Sequence, residues 1–180
     1  MTEILFVRHG ETDWNVERRV QGHSDRPLNA TGASQAQTLV AELRDEPLDA
    51  VYASDLIRAR ETAWAFAEHH GLEVDLLPAL REKNFGSWEG LRDTEIRERF
   101  PQADGGPWGD AETSEELAER VLAGLREIAE RHPGGRVLVV SHGGPLRAIL
   151  RHCAAGGDGH IANCHVARIG VQDGELSSLD

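Results

Sequence analysis

Two stretches decide the fold: Leu5-Phe6-Val7-Arg8-His9-Gly10 near the start and Val139-Val140-Ser141-His142-Gly143-Gly144 in the last third. Each is a short apolar run that ends at once in a histidine and a glycine. A run that is apolar at consecutive positions reads as a strand covered on both faces, as in the middle of a parallel sheet. In open α/β sheets, ligands bind beyond the carboxyl ends of the strands. If both strands are central and parallel, both imidazoles lie at the same edge of the sheet. The glycines then let backbone amides approach an anionic ligand. One histidine after a strand is ordinarily a structural residue; two built alike point to a site.

Working outward, strands alternate with helices. Thr31 is placed to cap a helix carrying Ala36, Leu39, Val40 and Leu43, which ends before Pro47. Asp49–Ala53 reads as a second strand. Ser54 or Asp55 is placed to cap a helix to about His70, which Gly71 closes in a left-handed conformation. Val74–Leu77 is a third strand, followed by a loop from Arg81 to Gly90 and a short polar helix from Arg92 to Phe100. Thr113 and Glu116 have capping-box spacing ahead of a helix whose Leu117, Val121, Leu125 and Ile128 share one stripe. After Val137–Val140 a helix runs from about Pro145 to His152. Residues 163–171 and 175–179 form a hairpin turning at Asp173-Gly174. This order predicts an α/β fold, a three-layer α/β/α sandwich around a mostly parallel sheet with a late antiparallel part, in a single domain over residues 1–180.

The 180-residue chain is 39% hydrophobic and 28% charged, as expected of a globular protein. No apolar run approaches the roughly 20 residues that span a bilayer. Ile4–Val7 is too short for a signal peptide, so a cytoplasmic location is expected. Cys153 and Cys164 are too few for a disulfide scaffold and lack metal spacing. A net charge of −12 argues against nucleic acid and anionic membranes as partners. It also means that an anionic substrate needs a local cluster of cations, which makes the arginine positions informative. Nothing in the sequence sets an oligomeric state.

Arg8-His9-Gly10-Glu11-Thr12, followed by Trp14-Asn15, resembles the signature of the histidine phosphatase (phosphoglycerate-mutase-like) superfamily. The resemblance continues through Gln21-Gly22, Leu28-Asn29, Gly32, Gln35-Ala36, Ser54-Asp55-Leu56, Arg58-Ala59, Thr62-Ala63, the loop from Glu82 to Gly90 and Ser141-His142-Gly143. It implies that His9 is the residue phosphorylated in a covalent intermediate. A neutral imidazole is a competent nucleophile toward phosphorus, and Arg8, Arg58 and His142 nearby would discourage its protonation. Arg8 and Arg58 would hold the non-bridging oxygens, because a guanidinium fork matches phosphate geometry. Residues 58 and 60 point about 200° apart on a helix, so Arg60 is left to the surface.

The resemblance further implies that His142 hydrogen-bonds the phosphoryl group and Glu82 acts as acid and base. Asn15, Gln21, Gly22 and Gly143 would line the substrate side. Glu11 is expected to be structural, for example by pairing a nearby cation, and Glu89 to serve the scaffold. His69 and His70 end a helix, where positive charge suits the dipole, and His132, His152, His160 and His165 lack metal-ligand spacing, so no metal or other cofactor is expected. The partner is then a small phosphorylated substrate. Three features favour a phosphatase over a mutase: the short chain, the loop Phe85-Gly86-Ser87-Trp88-Glu89-Gly90, and Gly143-Gly144 in place of the Gly-Asn of mutases. Lys83 replaces a common arginine, and residues 101–112 match no substrate subgroup, although Trp108 could shape the leaving-group side. The alternatives are a phosphoglycerate mutase and an inactive phospho-ligand-binding module. A nucleotide-binding domain would need a Gly-rich phosphate loop, which is absent.

Overall fold

The computed structural model describes residues 1–102, 110–157 and 159–180. Trp108, the residue expected to shape the leaving-group side, lies outside them. Along the chain run β1 (Thr2–Arg8), α1 (Asp13–Val16), α2 (Ala30–Glu42), β2 (Ala50–Ala53), α3 (Ile57–His70) and β3 (Val74–Leu76). Then come α4 (Asp93–Arg99), α5 (Ser114–Arg131), β4 (Arg136–Ser141), α6 (Gly143–His152), β5 (Val166–Gln172) and β6 (Glu175–Ser178).

Among the described residues, six strands form one sheet in the order β3-β2-β4-β1-β5-β6. β2, β3, β4 and β1 are parallel, while β5 and β6 join antiparallel. The two apolar runs are thus the middle of the sheet, and side chains alternate between its faces. Ile4, Phe6, Val137 and Val139 pack into one core with Leu117, Val121, Leu125 and Ile128 of α5 and Leu146 and Ile149 of α6. Leu5, Val7, Leu138 and Val140 pack on the opposite face with Leu39 and Val40 of α2 and Ala59, Ala63 and Phe66 of α3. The fold is the expected α/β/α sandwich, and both central strands are buried on both faces because both layers are apolar toward them.

Two helix starts differ from the sequence reading. Asn29, not Thr31, caps α2: its side-chain oxygen accepts from the Gly32 amide at 2.8 Å. Asn29 is held there by its own amide donating to Glu11 Oε1 at 2.9 Å, while Thr31 is an exposed first-turn residue. Helix α3 begins at Ile57, and no side chain at its N-cap position caps it. Asp55 is committed to an ion pair with Arg81 at 2.5 Å, and Ser54 lies 2.9 Å from His142. Asp25, from a distant loop, accepts the Ile57 amide instead at 2.7 Å. The capping box of Thr113 and Glu116 and the left-handed Gly71 are present as read. No helix among the described residues is long and apolar enough to cross a membrane.

Replacing Asn29 with alanine is expected to cost about 1 kcal/mol, whereas Thr31→Ala should stay within about 0.5 kcal/mol. Urea midpoints of the two variants check this assignment.

Candidate active site

The parallel register of β1 and β4 sets Arg8 opposite Ser141, so the next residues, His9 and His142, meet at the carboxyl edge. Their ring centroids are 5.1 Å apart with the planes at 62°. Both are buried, at 3% and 0% exposure. His9 Nδ1 lies 2.6 Å from the Gly10 carbonyl oxygen. A carbonyl can only accept, so the proton belongs on Nδ1 and the lone pair on Nε2. His142 Nε2 lies 2.9 Å from the Ser54 hydroxyl, and its Nδ1 is buried without a partner among the described residues. If Ser54 donates to Nε2, Nδ1 carries a proton available to a ligand.

Burial, then Arg58 and then Arg8, holds the His9 imidazole well below its ordinary range. His142 is lowered in the same way, by burial first and then by Arg58 and His9. Both rings therefore stay neutral at pH 7.

Arg58 projects from the first turn of α3 into the interior and is fully buried. Burial lowers its pKa to about 10, against the opposing pull of Glu82, which leaves it charged at neutral pH. Its Nη1 and Nη2 donate to the carbonyls of Ser24 at 2.9 Å and Gly22 at 2.7 Å. The sequence reading placed this residue only on a ligand; the structure also makes it the anchor of the 22–24 loop. Arg8 donates through Nη1 to the Ile161 carbonyl. The Nε atoms of both arginines are buried with no partner among the described residues.

Glu82 feels both guanidiniums. Its carboxylate accepts from its neighbour's amide, Lys83 N, at 2.8 Å and from Gly144 N at 3.1 Å in the first turn of α6. A Cβ on Gly144 would stand 2.0 Å from Glu82 Oε1, so the carboxylate occupies the space that a side chain at 144 would take. Gly143, beside it, is buried against Arg8.

The remaining expected residues serve the loops around this pocket. Asn15 forms a capping box with Thr12, its Oδ1 accepting from the Thr12 amide at 3.1 Å. Gln21 is buried, with its Oε1 accepting from the Thr12 hydroxyl at 2.9 Å. Gly22 has φ +51°, and a Cβ there would stand 2.1 Å from Glu89 Oε1. Glu89 accepts from the amides of His23 and Ser24, at 2.8 and 2.9 Å, which is the scaffold role read from the sequence. Glu11 has the structural role expected of it, its Oε1 accepting from the Asn29 side-chain amide at the start of α2 rather than pairing a cation.

Several residues that support the site were not singled out from the sequence. Thr62 accepts from the Gly10 amide at 3.1 Å and donates to the Arg58 carbonyl at 2.8 Å. Asn163 donates to the His9 carbonyl at 3.0 Å. Arg120 donates to the carbonyls of Ala79, Arg81 and Glu82, each at 2.8 Å, and pairs with Glu112 at 2.5 Å. On a helix rich in Glu and Arg it carries no sequence signal. Thr62, in contrast, lies within the motif Thr62-Ala63. No group of three or more His, Cys, Asp or Glu among the described residues could hold a metal ion.

The chain belongs to the histidine phosphatase superfamily, whose branch 1 profile matches residues 4–179. It is 40% identical over 185 residues to the "Metal-independent phosphoserine phosphatase" of Arabidopsis thaliana, covering 96% of this chain and 78% of that protein. It is 37% identical over 186 residues to "Probable phosphoglycerate mutase GpmB" of Enterobacter sp. (strain 638), covering 96% and 86%. Among solved structures, Bacillus stearothermophilus YhfR superposes with a TM-score of 0.91 at 32% identity, covering 99% of this chain and 96% of that one. The phosphatase reading and the phosphoglycerate-mutase-like fold agree with these likenesses.

Two expectations follow. An imidazole neutral in the fold but protonated in the unfolded chain favours unfolding as the pH falls below its ordinary pKa of about 6.5. Stability should thus decline between pH 6.5 and 5.5, by at most about 1.4 kcal/mol for each of the two histidines, and less in His9→Asn. Urea midpoints across that range measure it. Gly144→Ala should displace the Glu82 carboxylate and slow hydrolysis of alkyl phosphates at least tenfold more than that of p-nitrophenyl phosphate, whose leaving group needs little protonation. Rates on the two substrates decide the point.

Proposed function

We propose that the protein is a phosphomonoester hydrolase that works through a phosphohistidine on His9, within a single domain over residues 1–180. The observation that supports this most is a set of buried donors without partners among the described residues, Arg8 Nε, Arg58 Nε and His142 Nδ1, beside a neutral imidazole. A buried donor left unpaired costs about 1–3 kcal/mol, and a phosphate group supplies acceptors for all three. His9 Nε2 attacks phosphorus in line, and the phosphorus–oxygen bond to the leaving group breaks. Arg8, Arg58 and His142 hold the non-bridging oxygens as charge redistributes. Glu82 gives a proton to the departing oxygen. It then takes one from the water that attacks the phosphohistidine, which restores His9 and releases phosphate. The presence of all five groups favours catalysis over an inactive phospho-ligand-binding module.

The substrate is a small phosphorylated metabolite, in keeping with the phosphoserine phosphatase name of the Arabidopsis relative. A mutase is the second reading, favoured by the likeness to GpmB. The free thiols Cys153 and Cys164 suit a reducing compartment, and we place the protein in the cytoplasm.

His9→Ala should lower phosphate release from phosphoserine and from p-nitrophenyl phosphate by at least a thousandfold, and wild-type enzyme quenched in alkaline detergent during turnover should keep its phosphoryl label in alkali and lose it on acidification. Near-normal turnover by His9→Ala would refute the nucleophile. Efficient isomerisation of 3-phosphoglycerate with its bisphosphate primer, with little phosphate released, would select the mutase.

A further inference from the structure

The turn that leads into β5 holds the end of β1. Arg8 donates through its amide to the His165 carbonyl at 3.0 Å and through Nη1 to the Ile161 carbonyl. The Cys164 amide donates to the Arg8 carbonyl at 2.9 Å, and Asn163 Nδ2 donates to the His9 carbonyl at 3.0 Å. Cys164 takes φ +58°, a left-handed conformation that costs a residue with a side chain about 1 kcal/mol. Such strain persists only where the surroundings hold it in place. Here it falls beside the residue read as the nucleophile.

The same Asn163 nitrogen lies 3.3 Å from Asn15 Oδ1. The His9 carbonyl only accepts, so Asn163 must present its NH2 there, and the second N–H of that group is free to serve Asn15. A side-chain carbonyl oxygen has two lone pairs. One on Asn15 takes the Thr12 amide at 3.1 Å. The Thr12 hydroxyl, although 3.2 Å from Asn15 Oδ1, has a single proton and a nearer acceptor in Gln21 Oε1 at 2.9 Å. The other lone pair of Asn15 therefore belongs to Asn163. The oxygen and nitrogen of an amide are told apart by what surrounds them, and donors on both sides fix this atom as oxygen. Turned over, the Asn15 NH2 would face the Thr12 amide and the Asn163 NH2, donor against donor. As placed, Asn15 Nδ2 has no hydrogen-bond partner among the described residues.

We propose that Asn163 is a positioning residue for phosphoryl transfer: keyed by the His9 carbonyl, it locks the rotation of the Asn15 amide so that Nδ2, a donor, faces the phosphoryl oxygens. An anionic group attracts the NH2 end of an amide and repels its oxygen, so the direction of the Asn15 amide decides whether it helps or hinders. Asn163 itself touches no substrate and acts through Asn15. It can do so only if the phosphoryl group binds at His9, so the role rests on that reading of the site.

Orthovanadate, which adopts the five-coordinate geometry of phosphorus in transfer, probes this without turnover, and its affinity is measured by calorimetry. Asn163→Ala is expected to weaken vanadate about tenfold, the worth of one hydrogen bond to a charged group. Asn163→Asp has the same shape but only accepts, so it should draw the Asn15 NH2 away from the ligand and weaken binding further. In an Asn15→Ala background, Asn163→Ala should change the affinity by no more than about twofold. A residue that merely braces the end of β1 would weaken binding equally with and without Asn15, and that result overturns the proposal. Unchanged affinity in both Asn163 variants, shown to be folded by circular dichroism, overturns it too. The side-chain amide resonances of Asn15, assigned by their loss in Asn15→Ala, should shift when vanadate is added to the wild-type protein. No shift there refutes the proposal without any change at position 163. Near-normal turnover by His9→Ala would instead overturn the phosphohistidine, while vanadate affinity still decides Asn163.

Discussion

The parallel pairing of β1 with β4 is the constraint on which the rest of the site depends. The register that sets Val7 beside Val140 and Arg8 beside Ser141 brings two histidines together from positions more than 130 residues apart in the chain. A slip of one residue would turn every side chain of the strand to the other face, exchanging the two apolar layers. Because both faces are sealed by helices, the hydrophobic cores fix the register, and the register fixes the pair of imidazoles. The hydrogen bond from the His9 amide to the Ser141 carbonyl, at 3.0 Å, continues that ladder into the site itself.

Around this edge, charged groups work as both scaffold and chemistry. Arg58 holds the Gly22 and Ser24 carbonyls with its two terminal nitrogens and leaves Nε unpaired. Glu89 grips the same loop from the other side through amides. Arg120 collects the carbonyls of the segment before and at Glu82, which fixes the backbone from which that carboxylate extends. Buried charges of this kind are costly unless each finds partners, and here the partners are backbone groups of loops that would otherwise be loose. The outcome is a pocket in which, among the described residues, Arg8 Nε, Arg58 Nε and His142 Nδ1 are left unsatisfied, where the proposed phosphoryl group would sit.

Most of the architecture was legible because its signals are local. Continuous apolar runs mark the central strands, the stripe of Leu117, Val121, Leu125 and Ile128 marks α5, and Gly71 marks the end of α3. The helix starts at Asn29 and Ile57 were misread for a non-local reason. The nearest candidates, Ser54 and Asp55, are occupied by His142 and Arg81, so Asp25 reaches in from another loop. Asn15 and Gln21 each accept from Thr12 through a side-chain oxygen, contacts that the spacing of the motif does not reveal.

The sequence by itself determined the two strand-histidine segments, the residue types able to handle a phosphoryl group and the family to which they belong. These are properties of short stretches, and their chemistry does not depend on what lies opposite. Only the tertiary structure decided the proton position on His9, the pairing of Ser54 with His142 and the placing of the Glu82 carboxylate against Gly144. Each of those is a relation between groups far apart in the chain, set by the closing of loops over the sheet edge.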